Sequence, residues 1–243
     1  MGNPTVHISQ LQNIQWLDGS NCNFALTETN HIWRIRISAF TPQIHEFWNL
    51  LNAEEQERAN RYYHEKDKER FIVSRACLRI LLGRYLNLDV SAITFQIGEN
   101  KKPNIKGSTH LHYNVSHSGD YVLIAVSPSP VGVDVELPDA KIDPDEIMQV
   151  SYSKPEIDHV HQSANRLQAF YTLWTRKEAL LKATAKGIDN TLKFIPCIDG
   201  FHTTLYNTIG SKNNFIVNSF KVDDEHLGSV ASAYPATTFW DIN

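Results

Sequence analysis

The stretch FIVSRACLRILL, residues 71–82, resembles a second stretch, FYTLWTRKEALL at residues 170–181, that starts 99 residues later (170 − 71). In both stretches, apolar residues recur at the three- and four-residue spacing of an amphipathic helix. The spacing predicts one helical region over residues 52–86 and another over residues 164–185. The chain therefore contains two long helices of the same kind.

The segments that follow these helices repeat as well. Each helix precedes a strand-like stretch, at residues 93–97 and at residues 192–195. Each also precedes a later apolar strand with a glycine, at residues 119–126 and at residues 228–233. We therefore predict that one α+β unit is duplicated within the chain.

The predicted fold class is α+β, in two pseudo-symmetric halves. The halves are residues 1–128 and 129–243, joined by a turn at Pro128–Pro130. Ligand sites often form between such parts, so we expect the active site in the cleft between the halves.

The composition excludes several classes of protein. A net charge of −4 and a pI near 6.2 provide no basic field, so we expect no nucleic-acid partner. No apolar run is long enough for a membrane helix, and the first thirty residues lack a signal peptide's apolar core. The three cysteines form no CxxC pair, which favours a reducing cytoplasm.

The segment GVDVE at residues 132–136 alternates valines with Gly132, Asp134 and Glu136. A strand would turn both carboxylates to one face, about 6.6 Å apart along its length. Two such acids can share a hard cation such as magnesium, whose other ligands are waters and substrate phosphates. A solvated acidic face on an edge strand remains an equally open interpretation.

Three of the charged residues on the second helix are candidates for chemistry. Glu178 and Lys182 are four apart on one flank, while Lys177 falls inside the apolar sector. Lys177 either extends its ammonium to the surface or holds an anion at the cleft. In the second case Glu178 is a third metal carboxylate and Lys182 a phosphate partner.

Other polar residues, all in the first half, could bind phosphate. In NVSHS, residues 114–118, hydroxyls and an imidazole precede a glycine, although such a histidine is often structural. Basic residues of the first half either meet a polyanion or form ordinary surface charge. The candidates, including one adjoining proline, are Arg75, Arg79, Lys101, Lys102, Pro103, Ser116 and His117.

Four motifs in this order resemble the surfactin-type (Sfp-type) 4'-phosphopantetheinyl transferases: KP at 102–103, NVSHS, GVDVE and WTRKEALLK at 174–182. The resemblance implies transfer of phosphopantetheine from coenzyme A to a serine of an apo acyl or peptidyl carrier protein. The products would be holo carrier protein and 3',5'-ADP. It also implies coenzyme A contacts in the first half, with magnesium ligands and carrier docking in the second.

The resemblance assigns roles to individual residues. Magnesium would be held by Asp134, Glu136 and Glu178, with the coenzyme A diphosphate. Glu178 is the preferred general base, with a metal-bound water as its competitor, and Lys182 is the second catalytic residue. The implied coenzyme A contacts are Arg75, Arg79, Lys102, Pro103, Ser116, His117, Lys177 and Lys182.

Residues 138–162 form either a carrier-docking groove or an ordinary surface loop. Their apolar residues include Ile142, Ile147, Met148, Val150 and Tyr152. The duplication gives one chain both sides of the cleft, so we expect a monomer.

Two other functions are open. One is a noncatalytic coenzyme A or carrier-binding protein of the same fold, and the other is a magnesium-dependent phosphohydrolase. Three metal carboxylates favour catalysis over binding alone.

Overall fold

The computed structural model describes residues 2–98, 102–108 and 110–242; Lys101 lies outside them. The strands are β1 Thr5–Gln10, β2 Trp16–Asp18, β3 Thr29–Arg36, β4 Phe95–Ile97, β5 Pro103–Ile105, β6 His112–Ser118, β7 Tyr121–Ser127, β8 Gly132–Glu136, β9 Gly200–Thr203, β10 Phe215–Lys221, β11 Leu227–Ser232 and β12 Ala236–Ile242. The helices are α1 Ile37–Phe40, α2 Ile44–Asn49, α3 Ala53–Asn60, α4 Glu65–Leu86, α5 Pro144–Ser151, α6 Lys154–Gln162, α7 Arg166–Thr184 and α8 Tyr206–Ile209.

The described strands form two five-stranded sheets and a small β4–β5 ribbon. The sheet orders are β2-β12-β3-β7-β6 and β8-β11-β10-β1-β9. Each half has one unit of a strand, a long helix and a hairpin whose strands belong to one sheet. In the first half the unit is β3, α4 and the hairpin β6–β7, and in the second half it is β8, α7 and the hairpin β10–β11. The units share the order β3-β7-β6 and β8-β11-β10, so the two-half α+β fold is confirmed.

The sheets do not follow a division at residue 128, because the chain exchanges its terminal strands. The N-terminal strand β1 lies parallel to β10 in the second sheet, with Val6 opposite Phe215. The C-terminal strand β12 lies parallel to β3 in the first sheet. Each sheet therefore includes one terminal strand from the other half of the chain.

The core lies in layers because strand side chains alternate between two faces. On β7, Val122 and Ile124 pack under α4. Leu123, on the opposite face, packs against Val133 of β8 between the two sheets. The helix α7 covers the outer face of the second sheet through Leu180. Because the valines of β8 face the other sheet, its acids face α7, as the alternation predicted.

Two predicted elements differ in the structure. The predicted helical region from residue 52 is two helices, since α3 begins at an Asn52–Glu55 capping box and ends before α4. The stretch predicted as a strand at residues 192–195 is a short 3-10 turn, Leu192–Phe194. Within the described part of the chain, no helix has the length and apolar character needed to cross a membrane.

Candidate active site

The candidate site lies where an edge strand of each sheet meets the other. The Asn114 side chain on β6 accepts a hydrogen bond from the Val133 backbone N–H on β8 at 2.8 Å. Side chains alternate along β6, so Ser116 and Ser118 face the acids of β8 while His117 lines a pocket beside α4. One strand therefore separates an acidic cluster from a second, basic pocket.

Asp134 is the most buried member of the acidic cluster, with only 2 % of its surface exposed. Its Oδ1 atom accepts from Lys182 Nζ at 2.6 Å and from Ser116 Oγ at 2.9 Å. Its Oδ2 atom is buried and has no hydrogen-bond partner. Burial raises the pKa of Asp134 although the Lys182 ammonium opposes the shift. The structure thus brings Asp134, Ser116 and Lys182 together.

Glu136 and Glu178 share the electrostatic field of Asp134. Burial, with the nearby Asp134 charge, raises the pKa of Glu136 to about 7, although Ser118 Oγ donates to its Oε2 at 3.2 Å. Burial and the Asp134 charge also raise the pKa of Glu178. Burial thus makes the charged form of all three acids costly, and Lys182 opposes the shift at each of them.

A magnesium ion fits the chemistry of this cluster, although the cluster is not a preformed cage. Among the residues that the structure describes, no three Asp, Glu, His or Cys side chains are grouped as a ready-made metal site. The unpartnered Asp134 Oδ2 and the cost of burying the neighbouring carboxylates are nevertheless what a hard cation would relieve. Oxygen donors with vacancies left for water and phosphate suit magnesium. Glu136 and Glu178 are the acids whose pKa values burial and the Asp134 charge raise.

The second pocket lies across β6, next to α4, and has a volume of about 240 Å³. Its charged lining is mostly basic, from Arg58, Arg70 and Arg75, with His117 beside them. Burial and the Arg70 charge lower the pKa of His117. The lining residues are Arg58, Tyr62, Asp67, Arg70, Phe71, Ser74, Arg75, Leu78, Pro103, Tyr113, Asn114, Val115 and His117. Of the predicted coenzyme A contacts, Arg75, Pro103 and His117 lie here.

Lys102 lies elsewhere and joins the two halves. Its Nζ atom donates to the backbone carbonyls of Val131 at 3.0 Å and Lys182 at 2.6 Å. Burial lowers the pKa of Lys102 to about 8. A cation at the last carbonyls of α7 stabilises that helix end. In this arrangement Lys102 positions α7.

Arg79 and Lys177 were predicted to contact coenzyme A, but both side chains are buried in the protein. Arg79 is 1 % exposed and Lys177 is 0 % exposed. Arg79 Nε is bound by Glu55 Oε2 at 2.7 Å, and Lys177 Nζ by Glu156 Oε2 at 2.9 Å. The amphipathic pattern identified Lys177 as unusual, but its partner is a buried carboxylate from another helix.

Sequence reasoning missed Arg58 and Arg70, and it named Ser118 only as one of the hydroxyls of NVSHS. A signal for Arg70 was present, because Arg70, Ser74 and Leu78 recur every fourth residue on the pocket face of α4. Ser118 follows Ser116 by two residues, so the alternation along β6 already placed both on one face. Arg58 has no such signal, since it reaches the pocket from α3.

Comparisons with known proteins agree along most of the chain. Residues 38–129 match the family model described as 4'-phosphopantetheinyl transferase, N-terminal, and residues 130–237 match the 4'-phosphopantetheinyl transferase superfamily. A 4'-phosphopantetheinyl transferase of Bacillus subtilis is 29 % identical over 76 % of this chain and 83 % of its own length. The 4'-phosphopantetheinyl transferase Sfp of Bacillus subtilis strain 168 is 28 % identical over 78 % and 85 %. The 4'-phosphopantetheinyl transferase HetI of Nostoc sp. strain PCC 7120 is 30 % identical over 67 % and 71 %.

Proposed function

Since this chain belongs to the 4'-phosphopantetheinyl transferase superfamily, we propose that it transfers the phosphopantetheine arm of coenzyme A to a carrier-protein serine. The products are holo acyl or peptidyl carrier protein and 3',5'-ADP. This reaction is a holo-acyl-carrier-protein synthase activity. The observation that carries the proposal is the pairing of a basic pocket with an acidic, lysine-containing cluster across the single strand β6. Coenzyme A has a phosphorylated nucleotide at one end of a diphosphate, which matches these two environments.

The nucleotide end of coenzyme A belongs in the basic pocket. Arg58, Arg70 and Arg75 provide a positive lining for the 3'-phosphate. His117 presents its imidazole to the same pocket and Ser116 faces the cluster, so the ribose phosphate and the diphosphate lie on either side of β6. Lys182 then meets the diphosphate as a point charge.

The cluster residues would hold magnesium and supply the remaining charge control. Asp134, Glu136 and Glu178 would hold the ion, which would supply positive charge to the diphosphate and to the leaving group. Lys182 adds a second positive charge on the phosphate side. Ser116 and Ser118 orient the carboxylates through their hydroxyl groups.

The reaction requires a proton acceptor for the carrier serine. Burial and the Asp134 charge raise the pKa of Glu178, which makes its carboxylate a stronger base. We assign Glu178 the role of accepting the proton of the serine hydroxyl as its oxygen attacks the β-phosphate. The P–O bond to the 3',5'-ADP leaving group breaks in the same transfer.

The carrier docks on the second half, near residues 138–162. The proposed surface is smaller than the sequence predicted, because Met148 and Tyr152 are buried in the core. Val150 is 75 % exposed on α5, and Ile142 is exposed before it. These two apolar side chains suit a carrier helix.

We also propose that the enzyme acts as a cytoplasmic monomer. Strands from both ends of one chain complete both sheets, so one chain supplies the whole cleft. All three cysteines are buried free thiols, which suits a reducing compartment.

The proposal is tested by incubating the purified protein with coenzyme A, magnesium and a panel of apo carrier proteins. Mass spectrometry should find the phosphopantetheine mass added to at least one carrier and 3',5'-ADP in solution. Coenzyme A binding without transfer to any carrier would instead support the noncatalytic alternative. Release of free phosphopantetheine without carrier labelling would support the phosphohydrolase.

A further inference from the structure

Lys177 and Glu156 form a buried ion pair, with 0 % and 4 % of their surfaces exposed. Lys177 Nζ donates to Glu156 Oε2 at 2.9 Å, to the Leu192 carbonyl at 3.0 Å and to the Ile195 carbonyl at 2.7 Å. Glu156 is the third residue of α6 and accepts from the Ser153 backbone N–H at 2.8 Å, in a capping box. One ammonium thus joins α7, the start of α6 and the turn after α7.

The first half contains the same arrangement with a different cation. Arg79 Nε donates to Glu55 Oε2 at 2.7 Å, and its Nη1 to the carbonyls of Val90 at 3.1 Å and Ile93 at 2.9 Å. Glu55 is the third residue of α3 and accepts from the Asn52 backbone N–H at 3.0 Å, again in a capping box. The guanidinium joins α4, the start of α3 and the turn after α4.

We call each arrangement a latch: a capping-box glutamate, a buried cation on the long helix, and two carbonyls of the following turn. The two glutamates are 101 residues apart (156 − 55) and the two cations are 98 apart (177 − 79). The carbonyls are 102 residues apart in both cases (192 − 90 and 195 − 93). The offset of 99 inferred from sequence therefore aligns the two helices one residue out of register.

The latches differ in what they support. In the first half, Glu55 Oε1 also pairs with Arg75 Nε at 3.5 Å, and Arg75 lines the basic pocket. In the second half, Glu156 Oε1 instead accepts from the Cys197 thiol at 3.0 Å. The second cation, Lys177, directly precedes Glu178 of the acidic cluster.

We propose that the two latches are positioning devices of one origin, one for the coenzyme A pocket and one for the acidic cluster. Fixing Lys177 inside the core sets the rotation of α7, because consecutive helical residues are about 100° apart. That rotation aims Glu178 and Lys182 at Asp134. The first latch holds Arg75 through the shared Glu55. The assignment of one latch to coenzyme A binding and the other to metal binding rests on the proposed function.

The test compares two matched pairs of substitutions, Lys177→Met with Glu156→Gln, and Arg79→Met with Glu55→Gln. Each pair removes one buried cation and neutralises its glutamate, while glutamine keeps the capping box. The measurements on each purified variant are kcat, KM for coenzyme A, calorimetric binding of coenzyme A, and Mn²⁺ binding by electron paramagnetic resonance with coenzyme A present.

For the second latch we expect kcat and Mn²⁺ affinity to fall about 10- to 100-fold, with coenzyme A affinity within about twofold of wild type. For the first latch we expect coenzyme A affinity to fall about 10-fold, with Mn²⁺ affinity within about twofold. Both variants should lose thermal stability to a similar degree. Equal losses of every quantity in both variants would overturn the proposal, since the latches would then be only structural.

Exchange of the cations, Lys177→Arg and Arg79→Lys, provides a second test in which both buried charges are kept. The proposal is supported if Lys177→Arg weakens mainly Mn²⁺ binding and Arg79→Lys mainly coenzyme A binding, by smaller factors than before. It is contradicted if each variant weakens both kinds of binding equally. The two binding measurements do not require carrier modification. A wild-type protein that modifies no carrier therefore sinks the transferase proposal without deciding the outcome for the latches.

Discussion

Asp134 shows how the charge of the site depends on single residues. Its Oδ1 atom is engaged by Lys182 and Ser116, while its Oδ2 atom has no partner. Because burial still raises its pKa, the lysine does not fully offset the cost of desolvation. A second cation at this point would remove the remaining penalty, so activity should depend on this carboxylate more than stability does.

We expect Asp134→Asn to lower carrier modification about 100-fold or more, because the amide loses the charge that attracts a cation. The melting temperature should change little, since asparagine keeps the shape and one acceptor oxygen. Mass spectrometry of the carrier and a thermal melt measure the two effects. Glu57→Gln, an exposed acid on α3, is the control and should keep the wild-type rate. A rate for Asp134→Asn near that of the control would contradict the role of Asp134.

The buried side chain of His31 makes the stability of the protein depend on pH. Its Nδ1 lies 2.6 Å from the Tyr85 hydroxyl, and burial lowers the pKa of His31 from 6.5 to about 4. Because the folded pKa is the lower one, the unfolded chain gains the proton first as pH falls. The stability is therefore complete above pH 6.5 and declines between pH 6.5 and pH 4.

We expect His31 to account for a loss of about 2 kcal/mol in the free energy of unfolding between pH 7 and pH 5. Urea titrations of wild type and His31→Asn at pH 7 and pH 5 measure it, since the other histidines contribute equally to both proteins. The wild type should lose more stability than the variant between the two pH values. Parallel losses would show that His31 titrates normally.

Gly132 determines how closely the elements β8 and α7 approach. A Cβ atom at this position would lie 2.0 Å from the Ala179 carbonyl oxygen of α7. The strand and helix are therefore close enough for Asp134 to meet Lys182, and any side chain at residue 132 would push them apart.

We expect Gly132→Ala to destabilise the protein by about 3 kcal/mol, as overpacking of backbone against backbone leaves little room to relax. Carrier modification should fall as well, because Asp134 moves with its strand. Chemical denaturation and the carrier assay measure these effects. Gly2→Ala, whose Cβ would meet nothing within 4 Å, is the control. Wild-type stability in Gly132→Ala would refute the close contact.

Local patterns predicted the elements that carry the site, and tertiary pairing decided the rest. The alternation in GVDVE correctly predicted the face of Asp134, because strand geometry alone fixes it. The helical spacing also identified Lys177 as unusual, but its ion-pair partner could not be predicted from the sequence. Glu156 lies 21 residues away (177 − 156) on another helix, and nothing local indicates that the two meet. Lys102 likewise donates hydrogen bonds to backbone carbonyls of the other half. Every residue has a backbone carbonyl, so the sequence does not indicate which ones Lys102 meets.

The exchange of terminal strands ties the two halves into one molecule. In the second sheet, β1 lies between β10 and β9, and in the first sheet β12 lies between β2 and β3. Both are internal strands, so removing either one leaves rows of backbone groups without partners. Arg34 on β3 and Asp241 on β12 add an ion pair at 2.6 Å across the exchanged position. The whole molecule should therefore unfold as one unit even though its chain is duplicated.

We expect that residues 1–128 and residues 129–243, produced as separate chains, do not fold alone. The first fragment lacks β12 and the second lacks β1, so each would expose the core-facing side chains that these strands cover, including Ile32 and Val217. Circular dichroism should show no cooperative melt for either fragment. Mixing or co-expressing them should restore a melt and carrier modification, because every strand is then present. A cooperative melt of one fragment alone would mean that the exchanged strand is dispensable and that the halves are independent domains.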